Sequence, residues 1–227
     1  MVAFIVAAAS ILIHELAHIG MVKITGGKVN KVKLSLVGFS AWVHKIDKHR
    51  YMIYLAGPLI NAAIAFGALT LGQSDIFIIN IVLCGFNLLP VFPLDGGRIA
   101  QLFLGNRIGI IRANRVLIKV GIVVGGILMG FGLVQVVLYP WNMTLLCAGF
   151  YIRKKNKELP TYLYWECIQA LKSKKDSLPR KKIILPQNTT INQAVEYLRW
   201  DYLLEIYIDN NQYISERELL TDSKLKL

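Results

Sequence analysis

Cysteine is scarce in this chain, and the three present, Cys84, Cys147 and Cys167, show neither paired spacing nor a C-x-x-C. That excludes a disulfide framework and a cysteine-built zinc site. Acidic residues are also few, 14 against 26 Lys and Arg, giving a formal charge of +12. Such a balance would fit nucleic acid if the charge formed one face, but it falls in three blocks. Seven basic residues lie from Lys23 to Arg50, 5 from Arg98 to Lys119 and 14 from Arg153 onward. The connections near Gly72 to Asp75 and Tyr139 to Asn142 have none. This alternation excludes a nucleic-acid surface and fits a multispanning membrane protein with its basic segments in the cytoplasm. Hydrophobic residues at 55% and a mean hydropathy of +0.48 agree with it.

The first apolar run, Met1 to about Val22, lacks the basic n-region of a secretory signal peptide, and cleavage near Ala7 to Ala9 would leave His14 to His18 outside any span. At about 1.5 Å per residue the run is long enough to cross a bilayer. Its strongly polar side chains are His14, Glu15 and His18, in the pattern H-E-x-x-H. Four residues apart on a helix, both imidazoles share a face and can bind one metal ion, with Glu15 beside them as general base. An ionisable side chain near mid-membrane costs about 2.5–3.5 kcal/mol on insertion scales, so the trio needs a compensating partner. Zinc suits these donors.

Further along, Val29 to Val43 alternates about Gly38 and predicts a short hairpin, whose edge could hold an extended substrate. Tyr51 to Leu71 is a second span, with Gly57 and Pro58 for close packing or a kink and Asn61 in need of a partner. Asp75 to about Phe92 is a third. It runs into Asn87-Leu88-Leu89-Pro90-Val91-Phe92-Pro93-Leu94-Asp95-Gly96-Gly97, where two prolines end the helix and the glycine pair permits a turn. Crossing from outside to inside, it brings Asp95 to the cytoplasmic half, the depth at which the topology also places His14 and His18. Asp95 is therefore the best third ligand, with His44 and His49, both in a charged loop, as rivals. Arg98 to Arg115 reads as an amphipathic interfacial helix, Val116 to Leu138 as a fourth span with close-packing glycines, and Trp141 to Ile152 as a short fifth.

The fold expected is thus an all-α polytopic membrane domain of about five spans with a short membrane-associated β-hairpin, followed by a small cytoplasmic α/β domain. The expected boundaries are residues 1–152 for the membrane domain, 153–182 for a basic linker of net charge +7, and 183–227 for the tail of net charge −3. In the tail, the expected order is strand, helix (Thr190 to Trp200), strand, an Asp209-Asn210-Asn211 turn, strand and helix. A unit of this size would gain from pairing with a second copy.

The two motifs together, H-E-L-A-H from His14 to His18 and N-x-x-P-x-x-P-L-D-G-G from Asn87 to Gly97, resemble the site-2 protease family of intramembrane zinc metalloproteases. The resemblance is strong over about Met1 to Gly97, and Gly57-Pro58 to Asn61 is similar to the family's second core span. It implies zinc on His14, His18 and Asp95, catalysis by Glu15, and substrate positioning by Asn87. The substrate implied is a membrane-associated protein cut near the cytoplasmic face, with membrane inhibitory partners as a further expectation. Thr189-Thr190-Ile191 and Tyr207-Ile208-Asp209 make the tail resemble one cystathionine-β-synthase-type repeat. A core with such a tail is similar to the stage IV sporulation branch, which processes a sigma-factor precursor and has a span before its H-E-x-x-H helix; this sequence opens on the motif helix itself. Paired repeats would be needed to bind ATP or another adenine nucleotide, so the resemblance also implies a homo-oligomer through the tail. Two other classes compete. A catalytically inactive protease-like adaptor is disfavoured by the presence of Glu15, and a metal transporter by the clustering of acidic and His residues at one depth.

Overall fold

The computed structural model describes residues 2–26, 29–35, 38–43, 50–172, 178–186, 189, 191–208 and 212–221. His44, His49 and the Asp209-Asn210-Asn211 turn lie outside them. The chain divides into two compact units, residues 1–90 with 94–99, and residues 91–93 with 100–227.

In the first unit, α1 (Val2–Ile24) is followed by a hairpin of β1 (Val29–Ser35) and β2 (Gly38–Val43), antiparallel with a register shift between Val29 and Val32. The expected hairpin is therefore present. Next come α2 (Arg50–Thr70) and α3 (Ser74–Asn87), both packed on α1 and on each other. Only three residues join α2 to α3. Gly72 makes this turn feasible: at φ 68° its N–H bonds the Leu69 carbonyl, and Gln73 N–H bonds the Ala68 carbonyl. That pair of bonds is a Schellman cap, which closes the open carbonyls at the end of α2.

The third apolar run is helical only to Asn87, earlier than the expected Phe92, because Pro90 and Pro93 cannot continue the ladder. Leu88 to Leu94 instead form a loop, with a cis peptide at Phe92–Pro93, before α4 (Asp95–Ile108) begins. Asp95 is the first residue of α4, where Gly97 and Arg98 N–H groups both donate to the Leu94 carbonyl.

In the second unit, α4 ends one residue before Gly109, and α5 (Ile110–Leu138) starts directly after it. The expected single interfacial helix from Arg98 to Arg115 is thus two helices, with Arg112 and Arg115 on α5. The break is at Gly109, whose φ of 101° is open to glycine alone among ordinary residues. The helix α6 (Thr144–Lys172) runs unbroken from the fifth apolar stretch through most of the basic segment. It packs closely along α5 on a stripe of small residues. A Cβ at Gly125 would lie 2.9 Å from the Gly149 carbonyl oxygen, and one at Gly132 would lie 2.4 Å from Leu146 N. Gly125 and Gly132 therefore serve packing within the chain.

The tail sheet has the order β3-β4-β5, built from β3 (Arg180–Leu185), β4 (Leu203–Ile208) and β5 (Gln212–Ser215). The short helix α7 (Ile191–Val195) makes the parallel β3–β4 crossover, and α8 (Glu216–Thr221) follows β5. Leu185, Val195, Leu198, Leu204, Ile206 and Leu219 form its apolar interior. Glu216, buried at the start of α8, accepts the Leu204 N–H at 2.8 Å.

Among the described residues, three helices are long and apolar enough to cross a membrane, Ala3–Ile24, Arg50–Thr70 and Ile110–Leu138, with Ser74–Asn87 as a shorter apolar helix. Their exposed residues include Phe4, Phe66, Leu69, Phe131 and Val137. Such a surface suits lipid rather than water.

Candidate metal centre

His14 and His18 face α2 one turn apart on α1, and that helix approaches them closely because residue 57 has no side chain. A Cβ at Gly57 would lie 2.4 Å from His18 Nε2 and 2.5 Å from His14 Nε2. One turn earlier on α2, the Ile53 carbonyl accepts a hydrogen bond from His18 Nδ1 at 2.7 Å. That bond places the proton on Nδ1 and leaves the Nε2 lone pair for a ligand, as an outer-shell partner does for a metal-binding histidine.

Asp95 reaches the same point from the start of α4. Its Oδ2 lies 3.1 Å from both His14 Nε2 and His18 Nε2, and the two nitrogens are 3.1 Å apart. The loop before it folds back tightly: a Cβ at Gly96 would lie 2.2 Å from the Leu88 carbonyl oxygen. Gly96 thus lets the start of α4 lie against the end of α3.

These three atoms form an almost equilateral triangle. In a tetrahedral zinc site with ligand bonds of about 2.0–2.1 Å, neighbouring ligand atoms stand about 3.3 Å apart. The triangle is therefore close to one face of such a tetrahedron, with the fourth corner left for water or substrate. The donor set, two imidazoles and one carboxylate, fits zinc, and it is the group of potential ligands that comes together among the described residues. Of the expected residues, His14, His18 and Asp95 are thus brought together. Glu15 follows His14 on α1 and is half-buried. Asn87 is the last residue of α3, and its Nδ2 donates to the Leu83 carbonyl at 3.1 Å. The steric role of Gly57 and the Ile53 carbonyl were not apparent in the sequence. A Gly-Pro pair inside an apolar helix was the available signal.

The fold and donor set define a helical membrane protein with a candidate zinc centre. Comparison with known proteins narrows the class. The Peptidase family M50 model matches residues 74–131. A zinc metalloprotease of Methanocaldococcus jannaschii is 26% identical over 210 residues, covering 87% of this chain and 60% of its own length. Stage IV sporulation protein FB of Bacillus subtilis is 26% identical over 122 residues, covering 48% of this chain and 42% of its own. This chain therefore spans less than two thirds of either relative. Among solved structures, a site-2 protease from Methanocaldococcus jannaschii matches with a TM-score of 0.57 at 28% identity, over 69% of this chain and 76% of that one. Together these matches make the chain similar to proteins of the site-2 protease (M50) family.

Proposed function

We propose that this chain is an intramembrane zinc endopeptidase that cuts a membrane-associated protein near the cytoplasmic face. The observation that carries this reading is the triangle of His14 Nε2, His18 Nε2 and Asp95 Oδ2 with mutual distances of 3.1 Å, next to Glu15 on an apolar helix. Bound to these three residues, zinc would supply Lewis acidity toward a peptide carbonyl and acidify water. Glu15 would take the proton from the attacking water and return it to the leaving amide nitrogen. His18 would be held in its ligating tautomer by the Ile53 carbonyl. The hairpin edge would offer backbone groups to an extended substrate, and Asn87, through its side-chain oxygen, would help hold that strand in place.

The alternation of basic blocks supports a topology in which α3 and the apolar start of α6 complete five crossings, with the tail cytoplasmic. At about 1.5 Å per residue the 14 residues of α3 reach only about 21 Å, so the loop to Asp95 would complete that crossing. A sigma-factor precursor as substrate during sporulation, with membrane inhibitory partners, is the finer reading. It draws on the likeness to stage IV sporulation protein FB. The tail as a cystathionine-β-synthase-type repeat that pairs with a second copy and takes an adenine nucleotide rests on the β3-α7-β4 order, with Thr189 between β3 and α7. Addition of ATP should then change the cleavage rate, and an unchanged rate would reduce the tail to a docking module.

The activity is tested by reconstituting the protein with a membrane-tethered candidate precursor. Wild type should cleave it and Glu15→Gln should not. Cleavage by the variant would overturn the role of Glu15.

A further inference from the structure

Asn156 is fully buried on α6, although its neighbours in sequence, Arg153-Lys154-Lys155 and Lys157, are charged. Its Nδ2 donates to the Phe92 carbonyl at 2.6 Å and to the Ile152 carbonyl at 2.9 Å. Two carbonyl oxygens can only be met by the amide NH2, so the chemistry fixes which way the side chain faces. The seat for it is made by Gly121 on α5, where a Cβ would fall 2.4 Å from Asn156 Cγ and Oδ1. The Phe92 ring is buried with Leu117 and Leu163. Phe92 is thus fixed at both its ring and its carbonyl, and only Pro93 and Leu94 separate it from Asp95. Beyond Asp95, Gly96 is pressed onto the Leu88 carbonyl. Asp95 therefore follows, three residues on, a backbone carbonyl that Asn156 holds.

We propose that Asn156 is a positioning residue for the metal centre: by holding the Phe92 carbonyl it sets where the Asp95 carboxylate is presented to His14 and His18. The inference rests on the reading of those three residues as zinc ligands. Residues that orient a ligand from outside the coordination sphere typically change metal affinity by about 10–100-fold when removed. Asn156→Leu keeps the branched heavy-atom shape, with bulkier ends, and deletes the donor. Gly121→Ala leaves Asn156 in the sequence but pushes a methyl into its seat. Gly132→Ala strains the same α5–α6 contact three turns away, against Leu146, and serves as the control for packing alone.

The test is zinc affinity by chelator competition in purified full-length protein, together with the visible absorption spectrum of the cobalt(II)-loaded form. Asn156→Leu and Gly121→Ala should each bind zinc about tenfold more weakly or worse and show an altered cobalt spectrum, whereas Gly132→Ala should lose thermal stability with wild-type affinity and spectrum. Wild-type affinity and spectrum in Asn156→Leu would overturn the proposal, as would equal zinc loss in Gly132→Ala and Gly121→Ala. If Asn156→Leu does not fold, the two glycine variants decide alone. If wild type itself binds no zinc, the metal reading fails instead, which separates the two claims.

Discussion

A single methyl group at residue 57 would collide with both imidazoles of the candidate site. Gly57→Ala should improve intrinsic helix formation in α2 by about 0.5–1 kcal/mol. Sterics should nonetheless dominate at the site, since the added Cβ would meet His18 Nε2 at 2.4 Å. The expected outcome is a protein that remains folded and binds zinc at least about tenfold more weakly, read by chelator competition. Retained affinity would show that α2 can withdraw without disturbing the ligands. Legibility in the sequence differed sharply among these residues. His14 and His18 could be read because i, i+4 spacing places them on one face whatever surrounds the helix, and Asp95 because prolines and glycines mark the end of its span. Gly57 could not, since its effect depends on how close another helix comes. Asn156 was hidden by its basic neighbours, which read as a solvated linker. On a helix it shares a face with Ile152 and Leu163, both buried.

At the scale of elements, the junction of α4 and α5 carries most of the difference between expectation and structure. A run of apolar and basic residues from Arg98 to Arg115 shows no break by periodicity, and one glycine with positive φ divides it. The tail meets this junction directly. Ile110 N–H donates to the Leu198 carbonyl at 3.1 Å, Trp200 N–H donates to Asn106 Oδ1 at 3.1 Å, and Arg112 Nε donates to Glu196 at 2.8 Å. A Cβ at Gly109 would lie 2.2 Å from the Glu196 carbonyl oxygen. Gly109→Ala combines that clash with a backbone conformation closed to alanine, costing about 1–3 kcal/mol, and should loosen the tail. Faster tryptic cleavage at Arg199 in the variant would report it; an unchanged rate would contradict it.

The same junction has a defined pH response. The hydrogen bond from Arg112 holds the Glu196 carboxyl below the ordinary glutamate range, with Arg115 adding to the effect. A depressed carboxylate contributes stability in full above its unfolded value of about 4.3 and loses it as pH falls through the folded value. Docking should therefore be constant from pH 7 to about 5 and weaken only below about 4. Trp200 fluorescence, with Trp42, Trp141 and Trp165 replaced by Phe, is the readout. A transition near neutral pH would contradict the assignment.

For the whole molecule, charge distribution made the membrane character legible from sequence, because the positive-inside rule depends on where charges fall along the chain and not on packing. The number of crossings was less legible: α3 is short and α6 combines an apolar start with a basic remainder, so length and composition disagree in both. A zinc chelator should abolish cleavage, and added zinc should restore it. Inhibition that zinc cannot reverse would point away from a metal-dependent reaction.

The central claim is that His14, His18 and Asp95 hold the metal while Glu15 acts on the substrate. It is tested most directly by zinc content per chain in purified wild type, His18→Ala, Asp95→Ala and Glu15→Gln. Wild type and Glu15→Gln should each carry about one zinc and the two ligand variants should carry far less. Equal zinc in all four proteins would contradict the account.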